Sequence, residues 1–168
     1  MDDLAIRIFE ELGKIFPDIH IIVGNHDIMR KNSNEISSVD CLKYLPNVTV
    51  LKEPKVLKYK NATCLLMPWR RNHEHEQETL DNIKDNVDYM FCHTETRGVQ
   101  TSPSTKHLHD SGNEVTIFKR FKRVYSGHIH YRQDKENFVL VGNPYQMTRS
   151  DRDNQKGIYL LDLESGNH

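Results

Sequence analysis

Histidine is the residue type that stands out in this chain, with ten copies among 168 residues. Side chains able to bind a metal occur in three short polar motifs, which contribute Asn25 and His26, then His93, then His128 and His130. Imidazole nitrogen and amide oxygen are donors that suit manganese, iron and zinc. A metal held by neutral imidazoles keeps its positive charge and can polarise a phosphoryl oxygen. The residue types therefore predict a metal site whose ion is able to polarise a substrate oxygen.

Each motif directly follows an apolar run that is typical of a buried strand. These runs are 20–23 before Gly24, 89–92 before His93, and 123–126 before Gly127. The carboxyl ends of the strands in an open α/β sheet line its binding crevice, so we expect the three motifs to meet at one edge of a sheet. On an extended segment, alternate residues such as His128 and His130 point to the same side.

The hydrophobic spacing in the rest of the chain predicts further helices and strands. Helices are expected over 3–15, 74–84 and 36–44, the last started by Ser33 or Asn34, with a short helical segment at 115–118. Strands are expected over 48–51, 131–134, 138–141 and 157–162, and a hairpin over 56–59 and 62–67. Residues 93–113 form a long polar loop, which in a compact domain is usually functional or mobile.

The predicted fold class is α/β, a mixed-sheet sandwich flanked by helices, in a single domain over residues 1–168. The chain begins inside the helix predicted over 3–15, with no strand before it. A βαβ unit would place a strand there. We therefore expect the first strands of the sheet to be absent and the domain to be truncated at its N-terminus.

Composition and charge indicate the cellular environment of the protein but not the reaction that it catalyses. The chain carries 23 Lys and Arg against 24 Asp and Glu, so its net charge of −1 neither indicates nor excludes nucleic-acid binding. The three cysteines form no CxxC pair, which favours reduced thiols. No apolar run reaches membrane-spanning length, and the acidic start does not fit a signal peptide. These features predict a cytoplasmic protein with no membrane partner.

The order of the motifs resembles the calcineurin-like metallophosphoesterase superfamily. The pattern of that superfamily is DxH, GDxxD, GNH[D/E], a lone His, and GHxH. Here Gly-Asn-His-Asp at 24–27, His93, and Gly-His-Ile-His at 127–130 follow one another in that order. The combination of three ordered motifs is specific, whereas any one of them alone would be weak.

This resemblance implies a role for each motif residue. Asn25, His93 and His128 would bind one metal, and His130 would bind the other. His26 would act at the scissile phosphate as general acid or transition-state stabiliser. The implied cofactors are two divalent metal ions, with Mn2+ favoured and Fe2+, Zn2+ or Mg2+ as alternatives.

Within the superfamily the chain is most similar to the SbcD-like nucleases of double-strand-break repair and to the nuclease subunit of tailed-phage recombination endonucleases. Further matching features are Met67-Pro68-Trp69, Gly-Asn-Pro-Tyr-Gln at 142–146, and the apolar run 157–162. The likeness implies a metal-dependent DNA exonuclease or endonuclease subunit. It also implies DNA as substrate, an SbcC-like ATPase subunit as partner, a homodimer, and the host cytoplasm if a phage encodes the chain.

Two motifs of the superfamily, DxH and GDxxD, do not occur before Gly24. Asp2 and Asp3 cannot replace them, because they begin a helix that in the family follows GDxxD. We therefore expect the second metal site, which His130 would serve, to be incomplete, as in a truncated reading frame or one half of a split protein. Two alternatives stay open: a phosphoesterase acting on nucleotides or phosphoproteins, and an inactive module that binds metal, DNA or a partner.

Several polar residues near the motifs have both a functional and a structural interpretation. Asp27 either orients a histidine behind the metal, caps the next helix or faces solvent. Arg70 and Arg71 either bind substrate phosphates or belong to a solvated charged face. His107 and His109, in the long loop, either meet substrate or face solvent.

Overall fold

A mixed sheet of six strands forms the centre of the fold. The structure is a computed structural model and describes residues 3–30, 33–103, 105 and 107–168. The helices are α1 (Asp3–Ile15) and α2 (His73–Asn82), with 3-10 helices at Ser38–Tyr44, Val115–Phe118 and Arg149–Asp151. The strands are β1 (Ile19–Ile22), β2 (Ile28–Arg30), β3 (Ser33–Ser37), β4 (Val48–Leu51), β5 (Lys55–Lys58), β6 (Thr63–Met67), β7 (Tyr89–His93), β8 (Thr96–Arg97), β9 (Asn113–Glu114), β10 (Arg123–Gly127), β11 (Gln133–Lys135) and β12 (Phe138–Leu140).

Parallel pairing aligns the carboxyl ends of the central strands. The sheet order is β11-β12-β10-β7-β6-β5. Strands β12, β10, β7 and β6 run parallel to one another, whereas β11 and β5 pair antiparallel at the two edges. The register sets Gly127 opposite His93 and Met67 opposite Cys92. The segments that follow β6, β7 and β10 therefore leave the sheet at the same edge.

Both faces of the central strands are covered, which is the usual environment of parallel strands. One face packs a core that includes Met90, Val124 and Phe138, all fully buried. The other face carries a smaller cluster around Tyr125 and Val139. The burial of both faces explains why these strands appear in the sequence as short continuous apolar runs.

A second, smaller sheet carries the first motif. β1 pairs in parallel with β4. The backbone N–H of Trp69, just past β6, donates to the carbonyl oxygen of Val23 at 2.8 Å. Arg70 strengthens this junction, because its Nη2 donates to the carbonyl oxygen of Lys52, which follows β4. The end of β1 is thereby held next to the end of β6.

Most of the predicted architecture is confirmed. The chain has the α/β class with a mixed central sheet flanked by helices. The helices over 3–15 and 74–84, the hairpin of β5 and β6, and the strands that precede the three motifs all form close to their predicted bounds. The strand predicted over 131–134 forms slightly later, as β11.

The helix predicted over 36–44 is wrong in its first part. Ser33–Ser37 forms β3, which pairs antiparallel with β2, and the 3-10 helix begins only after it. A capping box formed by Ser37 and Asp40 sets the start of that helix. The predicted starts, Ser33 and Asn34, lie in β3 instead.

The strand predicted over 157–162 is also wrong, since no strand forms there among the described residues. The alternation of the side chains is nevertheless real. Tyr159 and Leu161 pack against the sheet, whereas Ile158 and Leu160 are each 87% exposed. The burial of the side chains therefore alternates along this segment as in a strand, but no strand pairs with it among the described residues.

Two expectations from composition can be compared with the described part of the chain. No helix within it is long and apolar enough to cross a membrane. The thiols of Cys41, Cys64 and Cys92 are free, and the last two are buried. The cysteine pattern thus correctly predicted thiols rather than disulfides.

Leu140 and Leu160 form a matched pair that tests the core. Leu140 in β12 is fully buried, whereas Leu160 is exposed. We expect Leu140→Ala to lower the free energy of unfolding by about 2–5 kcal/mol, because it removes buried methyl groups and leaves a cavity. Leu160→Ala should change it by less than about 0.5 kcal/mol. Urea unfolding followed by circular dichroism measures both, and equal losses would contradict this assignment of the core.

Candidate metal centre

The side chains of Asn25, His93 and His128 converge at the carboxyl edge of the sheet. Asn25 Oδ1 lies 2.8 Å from His93 Nε2 and 3.3 Å from His128 Nδ1. The two imidazole rings stand edge to face, with centroids 5.4 Å apart. The fold thus brings into contact three donors that lie 68 and 103 positions apart in the sequence, counted from Asn25. We call these three residues the donor cluster.

Two glycines allow this close approach. A Cβ atom at Gly24 would lie 2.9 Å from His93 Cε1, and a Cβ atom at Gly127 would lie 3.0 Å from His93 Nδ1. The ring of His93 is therefore packed against the backbones of both the first and the third motif. A larger residue at Gly24 would clash with this ring and displace it from its observed position.

The backbone of His128 takes a conformation that is unusual for a residue with a side chain. Its φ angle is +82°, in the left-handed region that favours glycine. Such strained residues persist where the surrounding structure enforces them, and they cluster at functional sites. The expectation of an extended segment at His128 is therefore wrong, because the chain turns sharply after β10.

Burial holds the two imidazoles of the donor cluster in their neutral form. Burial, followed by the nearby rings of His128, His26 and His130, lowers the pKa of His93 to about 3. Burial also lowers the pKa of His128, while the neighbouring Glu95 carboxylate acts in the opposite direction. A neutral imidazole is the form that binds a metal. Both rings can therefore serve as metal ligands at neutral pH.

His26 and His130 flank the donor cluster. Both residues are exposed, and both lie close enough to lower the pKa of His93 and of His128. The structure therefore brings the five predicted site residues into one neighbourhood. Three of them are in contact, and the two exposed histidines stand alongside.

A buried carboxylate supports the loop of His130. Asp151 Oδ1 lies 4.0 Å from His130 Nδ1, and Asn154 Nδ2 and Lys156 Nζ donate to the His130 carbonyl oxygen at 3.0 and 3.3 Å. Burial would raise the pKa of Asp151, but hydrogen bonds from Thr148 and Lys156 outweigh it and hold the pKa well below its usual range. The ionised carboxylate thus organises the turn that fixes His130.

Asp27 closes the first motif into a turn. Its Oδ2 accepts the N–H of Gly24 at 2.8 Å, and its own N–H donates to the Gly24 carbonyl oxygen at 3.2 Å. Its carbonyl oxygen accepts the N–H of Ser38 at 2.7 Å. Asp27 therefore ties the motif to the start of the following 3-10 helix, and it acts on the donor cluster through the backbone of Gly24.

Arg70 and Arg71 occupy different environments. Arg70 is 6% exposed, and its Nη1 contacts Glu53 Oε2 at 2.9 Å while Nη2 contacts the Lys52 carbonyl oxygen at 2.8 Å. Arg71 is exposed and lines a cleft that reaches His93. The guanidinium of Arg70 thus holds the junction between the two sheets, and that of Arg71 faces the cleft.

The structure adds two neighbours that the sequence did not assign to the site. The ring centroid of Trp69 lies 5.3 Å from that of His128 and 6.0 Å from that of His93. Glu95 pairs with His109 at 3.1 Å. The sequence signals for Trp69 were its place just past a strand end and its occurrence in the Met67-Pro68-Trp69 match, and for Glu95 its place two residues after His93.

The donor cluster does not by itself complete a coordination sphere. Within the described ranges, no group of three or more His, Cys, Asp or Glu side chains is placed to hold a metal ion. The cluster instead consists of two imidazoles and one amide oxygen. A metal bound there would need further ligands from another source.

The low pKa of His93 predicts a pH-dependent stability of the metal-free chain. Between its ordinary pKa of 6.5 and its folded value of about 3, His93 is protonated in the unfolded chain and neutral in the folded chain. Because the unfolded state then binds more protons, the free energy of unfolding should fall as the pH falls below 6.5. This one residue should contribute up to about 1.4 kcal/mol per pH unit.

The variant His93→Gln cannot titrate and should show a shallower slope below neutral pH. His107→Gln, which changes an exposed histidine, is the matched control and should keep the wild-type slope. Urea unfolding in EDTA at several pH values between about 5 and 7 measures the effect. Identical slopes for wild type and His93→Gln would show that the ring is not buried as described.

Similarity to a known protein extends over nearly the whole chain. No protein-family model matches it. Among curated proteins, exonuclease subunit 1 of Enterobacteria phage T4 is 30% identical over 165 residues, which are 97% of this chain and 48% of that protein. The chain therefore spans about half the length of this relative. The residues that meet at the carboxyl edge of the sheet belong to a chain that is similar to part of a phage exonuclease subunit.

Proposed function

We propose that this chain is a metal-dependent phosphodiesterase that cleaves DNA, a nuclease of the metallophosphoesterase superfamily with SbcD-like character. The observation that carries the proposal is the contact of Asn25 Oδ1 with ring nitrogens of His93 and His128, at 2.8 and 3.3 Å. The similarity to a phage exonuclease subunit supports a nuclease over a phosphoesterase that acts on nucleotides or phosphoproteins.

The donor cluster fits a divalent metal ion. Metal–ligand bonds of roughly 2.0–2.2 Å place neighbouring ligand atoms about 3 Å apart, close to the 2.8 and 3.3 Å observed here. Imidazole and amide oxygen together suit Mn2+, with Fe2+, Zn2+ and Mg2+ as alternatives. Asn25, His93 and His128 would hold one ion. His130 would serve a second ion, whose ligand set is incomplete among the described residues.

The protein's own residues would orient the substrate and handle the protons. When bound, the metal polarises a phosphoryl oxygen and lowers the pKa of water. His26, exposed beside the donor cluster, would donate a hydrogen bond or a proton at the leaving oxygen of the phosphodiester. Trp69 shields the two imidazoles on one side. Arg71, exposed in the adjoining cleft, would contact a substrate phosphate.

We also propose that the chain works in an assembly. The phage relative is named as a subunit, which supports a multi-subunit complex with DNA as substrate. The SbcD-like character points to an SbcC-like ATPase subunit as partner and to a homodimer of the nuclease. The corresponding location is the cytoplasm, of the host cell if a phage encodes the chain.

Metal binding can be measured directly, because Trp69 is the single tryptophan of the chain and lies beside His128. Mn2+ bound by the donor cluster should quench Trp69 fluorescence in a saturable way. Gly24→Ala should weaken this binding at least tenfold, because the added Cβ displaces the His93 ring. Supporting groups of metal ligands usually contribute 10–100-fold in affinity.

Gly157→Ala is the matched control for the metal titration. A Cβ at Gly157 would meet its nearest atom, Arg132 Nη1, at 3.9 Å, which is ordinary contact. This variant should titrate like the wild type. Equal affinities for wild type and Gly24→Ala would contradict a site at the donor cluster.

Cleavage of linear, end-labelled DNA in the presence of Mn2+ tests the reaction. His26→Ala should reduce the cleavage rate by roughly 10²–10⁴-fold, the usual contribution of a general acid, with Mn2+ affinity unchanged. His107→Ala changes an exposed histidine of the polar loop and should cleave at the wild-type rate. If the chain binds Mn2+ and DNA but cleaves neither DNA nor small phosphoesters, it is a binding module. Activity on small phosphoesters alone would replace the nuclease assignment.

A further inference from the structure

The long segment between β7 and the 3-10 helix at Val115–Phe118 is anchored at its base. The N–H of Gly98 donates to the His109 carbonyl oxygen, and the N–H of His109 donates to the Val99 carbonyl oxygen, both at 2.7 Å. Lys135 Nζ, from β11, donates to the Gly98 carbonyl oxygen at 2.7 Å. β8 pairs in parallel with β9. The position of His109 is therefore fixed by backbone contacts.

A glycine allows the returning part of this segment to pack against Glu95. Gly112 has a φ angle of +84°, and a Cβ there would lie only 2.1 Å from the Glu95 carbonyl oxygen. Only glycine can take this conformation at so short a distance. The return of the chain past Gly112 keeps Glu95 and His109 on the same side of the segment.

Glu95 and His109 form a pair at the rim of the donor cluster. Glu95 Oε1 lies 3.1 Å from His109 Nε2, and the side chains are 33% and 21% exposed. Glu95 lines the cleft that reaches His93, and His109 is bonded to Glu95, so the pair adjoins the site through Glu95. The two charges also act in opposite directions on the pKa of His128. Both side chains are still reachable from solvent.

A structural role in holding the segment between β7 and the 3-10 helix does not explain the contact of Glu95 with His109 well. A partly exposed ion pair contributes about 0–1 kcal/mol to stability, and backbone hydrogen bonds already hold both ends of the segment. An imidazole that donates to a carboxylate through one nitrogen carries a lone pair on the other when it is neutral, and it donates through both nitrogens only as an imidazolium. The pair occupies Nε2 of His109. A hydrogen bond from Nδ1 to a phosphate oxygen therefore requires the imidazolium form, which the carboxylate on one side and the phosphate on the other both favour.

We propose that His109, oriented by Glu95, contacts a phosphate of the nucleic-acid strand that lies over the donor cluster. The inference rests on the proposed function and names one further substrate contact for it. His109 donates a hydrogen bond to a non-bridging phosphate oxygen. Glu95 is a positioning residue: it holds the ring through Nε2, so that Nδ1 is available to the nucleic-acid strand.

The test measures binding of a labelled single-stranded oligonucleotide by fluorescence anisotropy in the presence of Mn2+. A series of oligonucleotides carries one uncharged methylphosphonate at successive positions. One position should weaken wild-type binding roughly tenfold, since a hydrogen bond to a charged group is lost there. In His109→Ala that position should no longer differ from its neighbours, because the partner is already absent. This loss of additivity identifies a direct contact.

Two further variants separate the contact from a structural role. His107→Ala changes an exposed histidine of the same segment and should keep the wild-type profile of methylphosphonate effects. His109→Gln can still bond Glu95 but lacks the second ring nitrogen, so it should lose the effect while unfolding at the wild-type temperature. Glu95→Gln should reduce the effect at the same position rather than move it to another.

The outcomes distinguish this inference from the function on which it rests. If wild type binds the oligonucleotide and His109→Ala shows the same methylphosphonate profile, the His109 contact is overturned and the proposed function stands. If wild type saturates with Mn2+ by Trp69 fluorescence but binds no oligonucleotide, the nuclease proposal fails and the contact fails with it.

Discussion

The ring of His93 is packed against the backbones of Gly24 and Gly127, and the geometry of the candidate site depends on this contact. Two constraints produce it. The parallel register of β7 and β10 sets Gly127 opposite His93, and the hydrogen bond from Trp69 to Val23 brings the end of β1 to the same edge. Because a Cβ at either glycine would come within about 3 Å of the ring, the motifs can meet only where both positions lack a side chain.

Sequence patterns predicted the central sheet well because its strands are buried on both faces. Runs such as 89–92 and 123–126 are short and apolar, and each ends at a polar motif. The patterns were insufficient where hydrogen bonding rather than burial decides the structure. The capping box of Ser37 and Asp40 starts a 3-10 helix that apolar spacing had placed earlier. Segment 157–162 alternates like a strand but has no pairing partner among the described residues.

For the site, residue types predicted the donors but not their surroundings. Asn25, His93 and His128 belong to motifs whose chemistry can be read from the residues themselves. The contacts of Glu95 and Asp151 depend on tertiary packing, because each carboxylate approaches a histidine that lies well away in the sequence. Ordinary acidic residues carry no local signal for such a position. The positive φ of His128 is likewise imposed by its neighbours rather than by its own preference.

The donor cluster spans a boundary between two sheets. Asn25 follows β1, which forms a two-stranded sheet with β4, whereas His93 and His128 lie at strand ends of the six-stranded sheet. Near the site, the two sheets are joined by the hydrogen bond from Trp69 to Val23 and by the buried guanidinium of Arg70. A ligand held by all three donors would cross-link the two sheets, so its binding energy would stabilise their attachment as well as the site. Occupancy of the site and cooperativity of unfolding are therefore expected to change together.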